Sequence, residues 1–276
     1  MNTGKLIQEL RIKAGYTQKT LAEVLHVTDK AISKWERGIC LPDTTLLPKI
    51  ALLLDVDVEI LMTNSLEQRD WVGVLDIDGI DFSQTVYDKP LVYYLLSHYL
   101  LLGVHSIHVL TNKDNQDFLK DERFRTLGFN FSYNRPERGN YMILTHPWFL
   151  FGSDLTQQFL GAMFSSRTIK LVPENQEPVV FFFSGEGYDK KHIRRLAASR
   201  TLGRGMVCFD MNDYDCILDV AGFVRTYQRN SGMLIGSLEE IAYRRGLIDE
   251  EQLKSMADSV PYGEQLRRMA GKLQVG

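Results

Sequence analysis

Residues Thr17–Gly38 constrain this chain more than any other stretch, because they read as two short helices joined by a tight turn. Thr17 and Thr28 each stand at a helix N-cap, where a side-chain oxygen can accept from the unpaired amides of the first turn. Leu21, Ala22 and Leu25 then fall on one face of the first helix, and Ile32 and Trp35 on one face of the second. With those residues turned to a common core, Asp29, Lys30, Ser33 and Lys34 are left facing outward from the second helix. A short helix that offers polar groups near its N-terminus and is braced by a partner helix has the geometry that reads base edges in the major groove.

The flanking sequence completes a small helical unit. Gly4 to Ala14 carries Leu6, Ile7 and Leu10 at helical spacing and stops before Gly15. After Gly38 a Leu41-Pro42-Asp43 turn leads into a helix through Leu46, Leu47, Ile50, Ala51, Leu53 and Leu54, with Asp43 as its expected cap. Val58, Ile60 and Leu61 predict a fifth short helix. The run TQKTLAEVLHVTDKAISKWERGICLPD resembles the Cro/repressor-type (XRE) helix-turn-helix family, and the resemblance extends over residues 3 to 64. Its carriers are the TQ pair, the LA inside the helix, the ISKWERG run and the LPD turn. The resemblance implies an all-α domain that binds a double-stranded DNA operator as a two-fold homodimer or higher homo-oligomer. Gln18 and Lys19 are expected on phosphates or flanking bases, and Thr28, Asp29, Lys30, Ser33 and Lys34 toward the groove.

The charge pattern allows this while limiting it. The formal net charge is −3, which argues against a protein that coats nucleic acid non-specifically, so DNA contact has to come from a local patch. Met1 to Gly38 supplies one, with seven basic residues against four acidic. Such a balance also suits an ordinary solvated helix surface. Cys40, Cys208 and Cys216 have no metal-ligand spacing, and an odd number fits reduced thiols better than a disulfide framework. No signal-peptide region and no apolar run of membrane-spanning length is present, so a cytoplasmic protein without a membrane partner is expected.

Thr63 to Asp70 is short and polar, and the domain limits are set at 1–64, a linker at 65–70, and 71–276. Beyond it the rhythm changes. Trp71–Ile77 reads as a strand, Leu91–Leu102 as a largely buried helix, and His105–Thr111 as a second strand, the alternation of a parallel α/β sheet. Further strands are expected at Asn130–Tyr133, Tyr141–Thr145, Val179–Ser184, Met206–Phe209 and Met233–Gly236.

A second resemblance lies here. YDKPLVYYLLS from Tyr87, the Gly203-Arg204-Gly205 triplet followed by Asp210, Gly232-Met233-Leu234, EEIAYRRGLID from Glu239, and YGEQL from Tyr262 resemble segments of glucose-1-phosphate thymidylyltransferases. The similarity covers about residues 71 to 270 and implies a Rossmann-like, mostly parallel α/β nucleotidyltransferase-like domain. The fold class is therefore multi-domain, all-α followed by α/β. Catalysis in that family needs a glycine-rich loop around the triphosphate, an arginine, a lysine and Mg²⁺-binding carboxylates. At the loop's place stand Asp76-Ile77-Asp78-Gly79-Ile80-Asp81-Phe82-Ser83, whose carboxylates would repel phosphates. The base-recognition loop has no counterpart in Asn134–Asn140, and the family's metal motif aligns with Gly152-Ser153-Asp154, its aspartate displaced by one. Asp210 alone matches a metal carboxylate. No catalytic residue, metal or cofactor is therefore expected.

The resemblance also implies a second, regulatory pocket for an end-product sugar nucleotide, whose matching positions are Leu101, Arg204, Ile235, Glu240, Ile241 and Arg244. Two arginines can fork onto a diphosphate, Glu240 can accept from a base or ribose, and the apolar three can form a wall. The alternative is that EEIAYR packs the C-terminal helices and the arginines pair with Glu239 or Glu240. The sequence thus predicts a transcriptional regulator with an inactive enzyme-like domain serving as sensor, oligomerisation domain or both. Two other readings stay open: an active sugar-1-phosphate nucleotidyltransferase with an added DNA-binding domain, and a regulator whose large domain is a ligand-free dimerisation scaffold.

Overall fold

A computed structural model describes residues 3–54, 58, 61, 71–152, 154–163, 168–173, 177–202 and 206–272, except the side chains of Lys13, Gly271 and Lys272. The chain divides into two compact units, one of residues 1–71 with 159–166 and one of residues 72–158 with 167–276.

The smaller unit is helical: α1 (Thr3–Lys13), α2 (Gln18–Leu25), α3 (Asp29–Glu36) and α4 (Leu47–Leu53). The threonine caps form as the sequence requires. Thr17 accepts from Thr20 N and Thr20 answers it in a reciprocal capping box, while Thr28 accepts from Ala31 N. Leu21, Ala22, Leu25, Ile32 and Trp35 are buried with Leu6, Ile7, Leu47 and Ile50 in one core. Where α1 meets α3 only glycine fits, since a Cβ on Gly4 would stand 2.1 Å from the Trp35 carbonyl oxygen. Asp43 is not a helix cap. Its Oδ1 accepts from Thr45 N and Thr45 Oγ1 in a turn of its own, and α4 starts later, at Leu47, with no side-chain cap. The expected fifth helix and the linker lie largely outside the described residues.

The larger unit is built on a seven-stranded sheet. Its strands are β1 (Trp71–Leu75), β4 (Ser106–Val109), β5 (Asn130–Ser132), β6 (Arg138–Leu144), β8 (Ile169–Val172), β9 (Val180–Glu186) and β10 (Ala198–Thr201), in the order β10-β8-β9-β6-β1-β4-β5. β1, β4 and β5 run parallel, as do β8 and β10, while β9 is antiparallel to both β6 and β8. A hairpin of β2 (Thr85–Val86) and β3 (Lys89–Pro90) and an antiparallel pair of β7 (Trp148–Phe151) and β11 (Val207–Asp210) stand apart from it. The remaining helices are α5 (Leu91–Leu101), α6 (Lys113–Phe118), α7 (Glu122–Thr126), α8 (Leu155–Met163), whose residues from Phe159 on group with the smaller unit, α9 (Lys190–Leu196), α10 (Tyr214–Ser231), α11 (Leu238–Arg244), α12 (Glu250–Ala257) and α13 (Gly263–Lys272).

One expected strand is absent. Met233–Gly236 forms no strand, because Gly232 and Gly236 both adopt positive φ, 72° and 66°, and turn the chain between α10 and α11. The motifs that resemble the thymidylyltransferases converge on one buried polar network instead. Lys89 is wholly buried, with Nζ 2.8 Å from Asp88 Oδ1, 3.1 Å from Gln228 Oε1 and 4.0 Å from the centre of the Tyr262 ring. Tyr262 and Tyr93 donate to the two oxygens of Glu239 at 2.8 and 3.2 Å. The YDKP, EEIAYR and YGEQL segments are thereby tied together in the interior.

Candidate functional site

The outward face of α3 follows from its inward one. With Ile32, Trp35 and Glu36 buried, Asp29, Lys30, Lys34 and Arg37 are exposed and Ser33 is half-buried between them. These positions recur at three- and four-residue spacing and so share a side of the helix. Asp29 Oδ1 accepts the Lys30 amide, and the Arg37 side chain donates to the Ser33 carbonyl at 3.1 Å. Sequence reasoning misses Arg37, although its spacing from Ser33 and Lys34 is an available signal. Thr28 stands exposed as the cap, and Lys19 is exposed on α2. Gln18 is placed differently from the rest: its amide donates to Glu36 Oε2 at 2.7 Å, which ties the side chain inward. The same carboxylate takes both Arg11 Nε at 2.6 Å and Arg11 Nη2 at 3.1 Å, and Arg11 Nη1 donates to the Tyr16 carbonyl. One buried ion pair thus fixes α1, α2 and α3 against one another.

In the larger unit the chain after β1 is closed rather than open. Tyr188 donates a hydrogen bond to Asp76 Oδ2, and Lys190 Nζ lies 3.4 Å from the same oxygen. Burial and the Asp76 carboxylate raise the Tyr188 phenol well above its ordinary value, so it stays a donor. Asp81 is spent on the Ser83 amide and hydroxyl. Buried Asn115 fastens the loop by bonds to Phe82 N and Ile80 O. Asp210 accepts from His146 Nε2 at 2.8 Å and from the Asn212 amide, and Asp154 is held by Gln158. Among the described residues no three His, Cys, Asp or Glu side chains are grouped as a metal ion requires. Asp76 and Asp210 are each engaged with a protein donor.

A cavity of about 350 Å³ opens between the Gly232–Leu234 turn, α11 and α13, lined by Gly232, Met233, Leu234, Glu240, Arg244, Gln265, Arg268 and Met269. Of the sequence-predicted ligand residues it gathers Glu240 and Arg244. Arg244 Nε donates to Glu240 Oε1 at 2.8 Å, so the pairing foreseen as an alternative is present at the cavity wall itself. Arg204 lies outside the described residues. Ile235 is buried beside the cavity, with its amide on Gln228 Oε1, Ile241 is half-buried, and neither lines it. Leu101 is 37% exposed and is tied to the end of α11 by Arg245, which donates to its carbonyl at 3.1 Å. Gln265 lies in the YGEQL segment but is not marked there as a ligand residue, and Arg268 and Met269 carry no signal in the sequence, because their place on the wall depends on how α13 packs. Gln265 Oε1 is buried and has no hydrogen-bond partner among the described residues.

Comparison with known proteins separates the two parts. Residues 7–61 match the HTH_3 family, described as helix-turn-helix. The chain is 42% identical over 62 residues to the HTH-type transcriptional regulator ImmR of Bacillus subtilis, covering 22% of this chain and 49% of that one. It is also 44% identical over 63 residues to the glucose-1-phosphate thymidylyltransferase of Mycobacterium tuberculosis H37Rv, covering 23% of this chain and 22% of the enzyme. The chain thus matches about half the length of ImmR and less than a quarter of the enzyme's. A solved Bacillus anthracis structure, provisionally assigned as a glucose-1-phosphate thymidylyltransferase and in complex with a sucrose, aligns with 56% of this chain and 95% of its own at 10% identity and a TM-score of 0.43. The chain therefore joins an XRE-type helix-turn-helix segment to a mostly parallel α/β unit that is similar in sequence to thymidylyltransferases.

Proposed function

We propose that this chain is a sequence-specific DNA-binding transcriptional regulator that works in the cytoplasm as a homodimer. Its larger unit no longer transfers nucleotides and instead senses a sugar nucleotide and supplies the dimer contact. The observation that carries the reading is the polar stripe of Lys30, Ser33, Lys34 and Arg37 on α3, capped by Thr28 and braced from behind by Ile32 and Trp35. The lysines would contact phosphates and give a salt-dependent affinity, while Ser33 and Lys34 carry more of the sequence preference. Gln18 contributes through its place at the start of α2 and its hold on Glu36, and Lys19 through its charge.

Loss of catalysis is supported by the carboxylates where a triphosphate would lie and by the side chains of Tyr188 and Lys190 on Asp76. Sensing is supported by the cavity with Arg244 and Glu240 on its wall, to which Arg204, Leu101, Ile235 and Ile241 are proposed to add contacts or support. The limits 1–64, 65–70 and 71–276 belong to the same proposal. Selection of bound duplexes from a random pool by the full chain should enrich a two-fold symmetric site, and recovery of unenriched sequences would overturn the DNA-binding reading. Incubation with glucose 1-phosphate, dTTP and Mg²⁺ should release no pyrophosphate; turnover would overturn the loss of catalysis.

A further inference from the structure

We propose that the outer face of α9 (Lys190–Leu196) is a second DNA-contacting surface, one that holds backbone phosphates and reads no sequence. The inference rests on the DNA-binding reading above and extends it to the larger unit. From Lys190 to Thr201 the chain carries five basic residues and His192 with no acidic residue, in a protein whose net charge is −3. The helix divides them by direction. Ile193 and Ala197 pack with Phe181 and Phe183 in a buried cluster, and Lys190 is drawn to Asp76. Lys191, Arg194 and Arg195 are left on the exposed side at i, i+3 and i+4.

Lys191 lies within electrostatic reach of the Asp189 carboxylate, but none of the three cations is held in an ion pair among the described residues. Among the described residues Lys191 and Arg194 have no carboxylate within ion-pair distance, and Arg195 meets only His192 Nδ1 at 3.3 Å. The nearest acid in sequence, Asp189, is occupied in capping the helix through the amides of Lys191 and His192. Lys191 and Arg195 are a like-charge i,i+4 pair, which opposes helix formation unless an anion lies over it. Three cations set along one exposed side of a helix suit a row of anions rather than one small anion. DNA presents such a row, one negative charge for each phosphate. Contacts of this kind add affinity and salt dependence without specificity.

The test is the affinity of the full chain for a fluorescent duplex of arbitrary sequence, titrated across salt concentration. The variant Lys191→Gln/Arg194→Gln/Arg195→Gln should bind more weakly, and its plot of log affinity against log salt should be shallower by about 0.9 for each phosphate it no longer neutralises, about 2 to 3 in all. Its thermal midpoint should match the wild type, because the three side chains are exposed. Lys30→Gln/Lys34→Gln serves as the comparison for the helix-turn-helix. If that variant is weakened while the α9 variant keeps the wild-type affinity and slope, this inference falls and the DNA-binding reading stands. If the wild type binds no duplex at any salt concentration, both fall.

Discussion

Glu36 accepts from Arg11 and Gln18 inside a unit otherwise cored by Leu, Ile and Trp, so removing one partner strands a charge away from water. Breaking a buried pair in this way costs about 3–5 kcal/mol, far more than an exposed ion pair is worth. Arg11→Ala or Glu36→Ala should therefore lower the unfolding free energy of the smaller unit, read from urea titration, by that amount, whereas Lys34→Ala, exposed on α3, should stay within about 0.5 kcal/mol of wild type. DNA affinity should respond to Lys34→Ala while stability does not. Equal stability losses for Lys34→Ala and Glu36→Ala would contradict this division. Arg244 offers a similar separation in the larger unit. Its side chain is 57% exposed, so its pair with Glu240 contributes little to folding. A panel of sugar nucleotides should raise the thermal midpoint of the wild type by mass action, and Arg244→Ala should abolish the rise while leaving the unliganded midpoint unchanged. A rise that persists in Arg244→Ala would place the ligand elsewhere.

At the scale of elements, α5 is buried along nearly its whole length and carries His98 with it. Burial pushes the His98 imidazole down to about 4 from its ordinary 6.5. Between those values the unfolded chain takes up a proton that the folded chain refuses, so stability is full above pH 6.5 and falls as pH drops toward 4, by about 3 kcal/mol. Urea unfolding at pH 7.5 and 4.5 should show a smaller difference for His98→Gln than for the wild type; equal differences would sink the prediction. At alkaline pH the sign comes from Tyr93, Tyr94, Tyr99 and Tyr262, all raised by burial above the ordinary 10. The unfolded chain loses those protons first, so stability is lost above pH 10. Lys89, lowered by desolvation, works against this as a single group.

These elements also mark how far the sequence can be read. The caps of α2 and α3 are legible because capping is local chemistry, and α5 because its apolar run is continuous. Met233–Gly236 misleads because three apolar residues between two glycines resemble a short strand until both glycines take positive φ. Helix α10 escapes notice although Ile217, Val220, Val224 and Gln228 lie buried at helical spacing behind the Asp213 cap. The polar face of Asp215, Asp219 and Arg225 masks that stripe. Among the site residues, Glu240 and Arg244 are visible in their motif, whereas Gln265 and Arg268 enter the cavity only through tertiary packing of α13 on α12 and the Gly232–Leu234 turn.

For the whole molecule, the proposed function requires that one site feel the other, and that requirement has a thermodynamic form. A ligand in the cavity changes DNA affinity only by as much as it prefers the DNA-binding state of the chain, and the coupling is reciprocal. The Lys89–Gln228–Glu239–Tyr262 network lies directly behind the cavity wall, since Gln228 also holds the Ile235 amide and Glu239 precedes Glu240. A ligand that moves Glu240 therefore acts on a buried assembly that packs α5, α10, α11 and α13. Saturating sugar nucleotide should shift the dissociation constant for the selected operator by about 5- to 150-fold, the usual range of such couplings. The operator should shift the ligand's dissociation constant by the same factor. Anisotropy measurements of both titrations on the full chain check the two factors against each other. Gln228→Leu, which removes the shared amide, should reduce both equally. A ligand that binds the cavity and leaves operator affinity unchanged would make the larger unit a scaffold for dimerisation rather than a sensor.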